Sequence, residues 1–181
     1  LKSKTFTPPT GDYEFVHAKL VRNLESALMK ARRYKLRPKA LAVILRHHDF
    51  RHDGLEARLN RPTAATIEIL PLVRHLYDQT YKKGSTYRST MIILGKLESD
   101  RSEQYELFED PLRIDTLRAL TGAVDEINNL FGKHTLSSGS ALHLARKPVV
   151  DRDEAPERRD IMLKGENKRQ RLNIPRMNIR I

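Results

Sequence analysis

The side chains able to do chemistry in this chain are of two kinds, and the first does not assemble into a catalytic set. His47, His48 and His52 fall with Asp49 and Asp53 inside one short stretch, dense enough for imidazoles and carboxylates to share a metal ion. The chain has no cysteine to add a thiolate. His52-Asp53-Gly54 reads as a turn between strands, where ring nitrogens face water, so the spacing predicts a solvated basic turn and no metal site. Asp125 and Glu126 are adjacent on a helical stretch; neighbouring positions point apart, which rules out an acid–base pair and predicts a solvated face. Ser137-Ser138-Gly139-Ser140 has neither the nucleophile-elbow pattern nor the Gly-Lys-Ser/Thr of a phosphate loop. No catalytic residue, metal ligand or cofactor is expected in this chain.

The second kind is cationic. Lys30 to Lys39 holds Lys30, Arg32, Arg33, Lys35, Arg37 and Lys39 and no acid. It leads into an unbroken apolar run, Ala40 to Leu45, which is followed by Arg46, His47 and His48. The net charge of +11 resides entirely in residues 1–97, where 19 Lys and Arg face 8 Asp and Glu; residues 98–181 hold 15 of each. A cationic excess concentrated in one domain favours nucleic acid over a membrane surface or an acidic protein. The bland alternative is that Arg32, Arg33 and Lys35 only complement a helix dipole. No run approaches the roughly 18 apolar residues of a membrane span, and no signal peptide opens the chain. Absence of cysteine fits a reducing cytoplasm, and the start at Leu1 is read as a piece of a longer polypeptide.

These cations need a scaffold, and hydrophobic periodicity supplies one. Residues 1–7 alternate as a strand, with Ser3, Thr5 and Thr7 on one face, Lys2, Lys4 and Phe6 on the other, and Pro8 and Pro9 ending it. Asp12 caps a helix whose Val16, Leu20, Leu24, Leu28 and Ala31 recur at helical spacing. Ala40 to Leu45 is too short for a buried helix and reads as a central strand that starts at Pro38. Leu55 to Asn60 follows, with Leu55, Ala57 and Leu59 buried and Glu56, Arg58 and Asn60 wet. Thr63 caps a second helix to Tyr81 with Ile67, Leu70, Val73, Leu76, Tyr77 and Tyr81 inward and a kink or restart at Pro71. Tyr87 to Leu97 is the last strand. The sum is a two-layer α+β domain, β-α-β-β-α-β, with a four-stranded sheet, both helices on one face and the other face open.

The domain spans residues 1–97, and 98–110 form a polar linker. Residues 111–132 form an amphipathic helix capped by Asp110-Pro111, with Leu112, Leu117, Leu120, Val124, Ile127 and Phe131 in its stripe and Gly132 closing it. Residues 133–181 are expected to be a largely irregular tail. Asp151 to Arg159 has disordered composition, and 164–181 carries six cations against one acid. In the linker, Gln104-Tyr105-Glu106-Leu107-Phe108 places two large apolar side chains after an amide. Those residues suit either a peptide anchor on a partner or a staple of Phe108 onto Leu112.

Taken together, Ser3-Lys4-Thr5-Phe6, Ala42-Val43-Ile44-Leu45-Arg46, Asp49-Phe50-Arg51, Ile69-Leu70-Pro71 and Gly84-x-x-Tyr87-Arg88 with Leu94 and Leu97 resemble, in order and spacing, the C-terminal little finger domain of Y-family translesion DNA polymerases, the bacterial polymerase IV and V group. Met91 stands where the resemblance calls for glycine. Leu107 to Pro111, Asp125 to Asn128, Phe131 to Thr135 and Lys164 to Asn167 look like the tail region that follows this domain in some members. The resemblance implies sequence-independent binding of primer–template DNA by the open sheet face, with Lys2, Ser3, Lys4, Thr5, Arg46, Arg58 and Arg88 as candidate phosphate contacts. It also implies docking of Gln104, Leu107 and Phe108 on a sliding clamp. The carboxylates that hold magnesium for synthesis belong to a palm, expected before Leu1. The chain is accordingly read as non-catalytic, its parent as a DNA polymerase. Rival readings are an RNA-binding module, for which the strands offer only Phe6 and Tyr87 to stack bases, and a protein interaction scaffold.

Overall fold

The computed structural model describes residues 1–100 and 110–146. Its first part runs β1 (Lys2–Thr10), α1 (Tyr13–Arg33), β2 (Leu36–His47), β3 (His52–Arg58), α2 (Thr66–Thr80) and β4 (Tyr87–Ser99). The strands form one sheet in the order β1-β4-β2-β3, each neighbouring pair antiparallel. β1 and β2 thus run in one direction with β4 between them, and β3 and β4 in the other with β2 between them. Each pair is joined across its middle strand by a helix, and both helices pack on the same side. The periodicity predicts this two-layer α+β architecture, and the structure has it.

The core lies between the layers. Asp12 caps α1 through its carboxylate, which accepts from Phe15 N at 3.1 Å, and Val16, Leu20, Leu24 and Leu28 are wholly buried. They meet Leu41, Val43 and Leu45 of β2, Ile92 of β4, and Ile69, Val73, Leu76 and Tyr77 of α2. At roughly 1.5–3 kcal/mol for each aliphatic side chain buried, this layer holds the sheet to the helices and needs no cover on the opposite face. At one end of the sheet the core becomes aromatic. Tyr77 packs against Tyr13, His17 and Tyr81, and Tyr81 against Tyr87, which lies 4.7 Å from the His47 ring.

Several boundaries differ from the periodicity. β2 begins at Leu36 and runs through Pro38, which pairs with Leu97. The Pro38 carbonyl accepts from Thr63 N at 3.1 Å; the proline has no N–H to donate, and it sits near the start of the strand, where such a gap is tolerated. β1 likewise continues through Pro8 and Pro9 to Thr10, with a register shift against β4 between Thr5 and Thr10; an edge strand tolerates this. His52-Asp53-Gly54 is strand, and the turn is earlier, at His48 to Arg51. Gly54 serves close packing, because a Cβ there would lie 2.8 Å from the Val43 carbonyl oxygen and 2.9 Å from Ile44 Cγ1. Leu55 is 39% exposed, since β3 is the sheet edge. α2 starts at Thr66, runs through Pro71 without a break, and buries Ile69 while Ile67 stays exposed. Thr63 instead holds the Glu68 carboxylate and accepts from Ala65 N.

A third helix, α3 (Pro111–Leu130), is capped by Asp110, whose carboxylate accepts from Leu112 N at 3.0 Å. It meets the helix layer through Arg32, which donates from Nε and Nη2 to the two Asp125 oxygens at 2.6 and 2.7 Å and from Nη1 to Ala64 O at 2.7 Å. Asp125 is therefore an ion-pair partner and not part of a solvated face. The expected apolar stripe is also corrected: Ile114 and Asn128 are the buried positions, Leu117, Val124 and Ile127 are half-buried, and Leu112, Leu120 and Phe131 are exposed. Asn128 is buried because its amide pairs both ways with the Leu136 backbone, at 2.9 Å each. Residues 133–146 lie against α1 and contain a 3-10 turn, Gly139–Ala141, and a short α4, His143–Arg146.

Glu25 of α1 anchors this last segment. It accepts from Ser138 N at 2.6 Å, and its second oxygen lies 3.3 Å from His134 Nδ1. Burial alone would raise its carboxyl, but His134 and Ser138 outweigh burial and hold it below the ordinary 4.5. His17, in contrast, is lowered from 6.5, by burial and then by Arg74. Both shifts mean that the unfolded chain binds more protons than the folded one, so stability rises with pH across both windows. The thermal midpoint is expected to fall as pH drops below 6.5, where unfolded His17 takes a proton, and again below 4.5 as Glu25 is titrated. Glu25→Gln should shrink the lower step in a pH series of melting curves, Asp49 and Asp53 supplying the remainder; a step of unchanged size would remove Glu25 as a source.

Candidate nucleic-acid interface

Directly opposed residues of antiparallel strands point to one side of a sheet, so register assigns faces. Leu41, Val43 and Leu45 face the helices, and the intervening positions face away. The open side therefore carries Ala42, Ile44 and Arg46 of β2, Ser89, Met91 and Ile93 of β4, Ser3 and Thr5 of β1, and Gly54, Glu56 and Arg58 of β3. Its middle is aliphatic and half-buried and its rim is cationic. Met91 pairs regularly with Ser3 and Ile44, so its side chain is accommodated without a bulge. Glu56, opposite Ala42, is an acid on this otherwise basic face.

The candidates from the first strand divide. Ser3 and Thr5 lie on the open side, whereas Lys2 and Lys4 stand opposite Ile92 and Thr90 on the helix side. Lys2 there lies near Lys133; burial first, then the Lys2 and Arg33 cations, lower the Lys133 ammonium from its ordinary value. Arg58 is exposed at the outer edge. Arg46 and Arg88 come together through a bulge. Arg46 pairs with Ser89 and His47 with Tyr87, which leaves Arg88 as the extra residue of β4. Past this slip Tyr87 faces the core and Ser89 the open side. Both guanidiniums reach the ring of Phe50, with Arg88 Cζ 4.3 Å and Arg46 Cζ 4.7 Å from its centroid. The residue types flagged Arg46 and Arg88 but not Phe50. An exposed aromatic inside a charged turn was the signal available.

The turn holding Phe50 is fixed by its neighbours. His47 N donates to Arg51 O at 2.9 Å and Phe50 N to His47 O at 3.1 Å. Asp49 accepts from Arg51 N and Nε at 3.2 and 2.7 Å, and Arg51 holds its carboxyl below the usual range. Asp53 is lowered by Lys82 and then His47, each 2.8 Å away. His48 Nδ1 lies 3.0 Å from Thr86 Oγ1. His47, His48, Asp49 and Asp53 are thus engaged by neighbours in and around the turn, His52 stands in β3 opposite Arg46, and among the described residues no group of three such side chains is placed to hold a metal. Gln104, Leu107 and Phe108 lie outside the described residues, as do residues 147–181. Among the described residues no helix is long and apolar enough to cross a membrane.

Residues 1–107 match the family model described as the impB/mucB/samB family C-terminal domain. The chain belongs to this family. The assignment agrees with the little finger resemblance of the sequence, and it covers the four-stranded domain with its open face. Among solved structures this little finger domain is similar to DinB from Sulfolobus solfataricus, at 14% identity and a TM-score of 0.45 over 51% of this chain and 27% of that one. It is similar to the little finger domain of PolIV, solved with the beta-clamp processivity factor, at 17% and 0.42 over 59% and 96%. A third is Dbh DNA polymerase in an insertion ternary complex, at 16% and 0.39 over 50% and 26%. The chain spans about a quarter of the DinB and Dbh chains. No curated protein matches it by sequence.

Proposed function

We propose that this little finger domain holds primer–template DNA on its open sheet face, without reading sequence, as the DNA-gripping part of a Y-family translesion polymerase. What supports the reading is this face, which no helix among the described residues covers: an aliphatic floor with Arg46, Arg58 and Arg88 at its rim and the Ser3 and Thr5 hydroxyls on the adjoining edge strand. Cations and hydroxyls at that spacing grip phosphate oxygens, and such contacts position a duplex while remaining indifferent to its bases, which a damaged template requires. Synthesis itself is assigned to another domain, whose carboxylates would hold the magnesium ions. The RNA-binding alternative loses its platform, because Phe6 and Tyr87 are 2% and 0% exposed. The test is binding to primer–template DNA over a salt series. Several phosphate contacts give a steep loss of affinity with added salt and near-equal affinity across sequences; absent or salt-insensitive binding rejects the reading.

Docking on a sliding clamp is the second half of the proposal and rests on Gln104, Leu107 and Phe108. Two adjacent apolar anchors dominate such a peptide contact. Replacing Leu107 and Phe108 with Ala should abolish recovery of the domain on immobilised clamp and leave DNA binding unchanged. Equal recovery of variant and parent would remove the motif.

A further inference from the structure

We propose that Phe50 is a positioning residue whose ring holds the guanidiniums of Arg46 and Arg88 as one preorganised phosphate-binding pair at the β2–β3 turn. The inference rests on the DNA-binding reading and adds to it a residue that touches no phosphate. Three observations carry it. Phe50 is 56% exposed although it is aromatic, so core packing does not account for it. Its backbone sits at φ 73°, a left-handed conformation that bulky side chains rarely adopt and that persists where surrounding structure enforces it. Here the enforcing contacts are the His47–Arg51 backbone bond and the Asp49–Arg51 bidentate pair. Third, both guanidiniums lie within 4.7 Å of the ring centroid.

Two arginines brought together by a bulge repel each other and, left alone, would swing apart into water. An electron-rich ring attracts both and removes rotamer freedom before the anion arrives, so less ordering remains to be done on binding. Among the described residues, His52 stands opposite Arg46 on the same side of β3, with Glu56 further along that strand, and Asp49 is already engaged by Arg51. Adjacent phosphates of one strand are the anions that a guanidinium pair on one ring would fit.

The experiment compares Phe50→Leu and Phe50→Trp for duplex DNA affinity, thermal midpoint and the NMR shifts of the Arg46 and Arg88 side-chain protons. Leu keeps an apolar side chain but has no π face, so affinity should fall roughly tenfold while Trp stays within about twofold of the parent. The thermal midpoint should be nearly unchanged in both, because the ring is largely exposed. In Phe50→Leu, a further Arg88→Ala should cost less than it does in the parent, the mark of a shared unit. Equal affinity of Phe50→Leu and parent, or equal losses in Leu and Trp, overturns the inference even when DNA binding is intact. Ring-current shifts on both arginines that vanish in Phe50→Leu support the pairing without DNA, and their absence in the parent refutes it. If those shifts are present but the parent binds no DNA, the DNA-binding reading is what fails.

Discussion

Replacing Arg46, Arg58 and Arg88 together with Ala is expected to weaken binding to primer–template DNA by on the order of a hundredfold to a thousandfold at low salt. The loss should shrink as salt rises. Each phosphate contact removed takes about 0.9 from the slope of log affinity against log salt, so three contacts lower it by about 2.7. The gap between variant and parent then closes about fortyfold between ~50 and ~200 mM salt. This behaviour separates lost phosphate contacts from lost net charge. Removing the same number of cations from the helix side, at Lys30, Arg33 and Lys133, changes the total charge equally and should cost less than about threefold. Parallel salt slopes for the two triple variants would show that the open face is not the DNA surface. A melting curve of the first variant checks its folding, because Arg58 is exposed but Arg46 and Arg88 are half-buried.

Tyr77→Ala is expected to remove most of the domain's stability. The ring is wholly buried at the junction of both helices, 5.0 Å from Tyr13, 5.1 Å from His17 and 5.5 Å from Tyr81. Its hydroxyl donates to Tyr13 O at 2.8 Å, and burial pushes its ionisation well above the ordinary phenol range. Truncating a large aromatic in a packed core costs about 3–5 kcal/mol, and the bond to Tyr13 O adds about 1 kcal/mol. Domains of this size have only about 5–15 kcal/mol in total. Tyr77→Phe should lose only the hydroxyl share. Urea unfolding would show the Ala midpoint far below the parent and the Phe midpoint close to it. A cost below about 1 kcal/mol for Ala would mean that this aromatic column does not tie the helices to the end of the sheet bearing the Phe50 turn.

Much of the fold follows from local pattern. The four periodic leucine and valine positions of α1, the caps Asp12 and Asp110, the Ala40 to Leu45 run and the cationic excess of residues 1–97 each depend on side chains close in sequence, so spacing alone determined them. The ordered resemblance of short motifs named the family for the same reason. Where a side chain points depended on partners distant in sequence. Pairing of β2 with β4, and the slip of one residue between them, put Arg46 and Arg88 on the same ring; Lys2 and Lys4 fell on the helix side because their register set them beside Ile92 and Thr90. Asp125 became an ion-pair partner only because α3 met Arg32. Gly54 carried the same signal for a turn as for close packing, and only the approach of Ile44 distinguished them. A period of two assigns a strand two faces but not which one is buried, and one residue of register reverses the answer. Local spacing was therefore enough for the four strands and the three long helices and for the cationic excess of residues 1–97, whereas which cations share the open face followed from strand pairing between residues far apart in the chain.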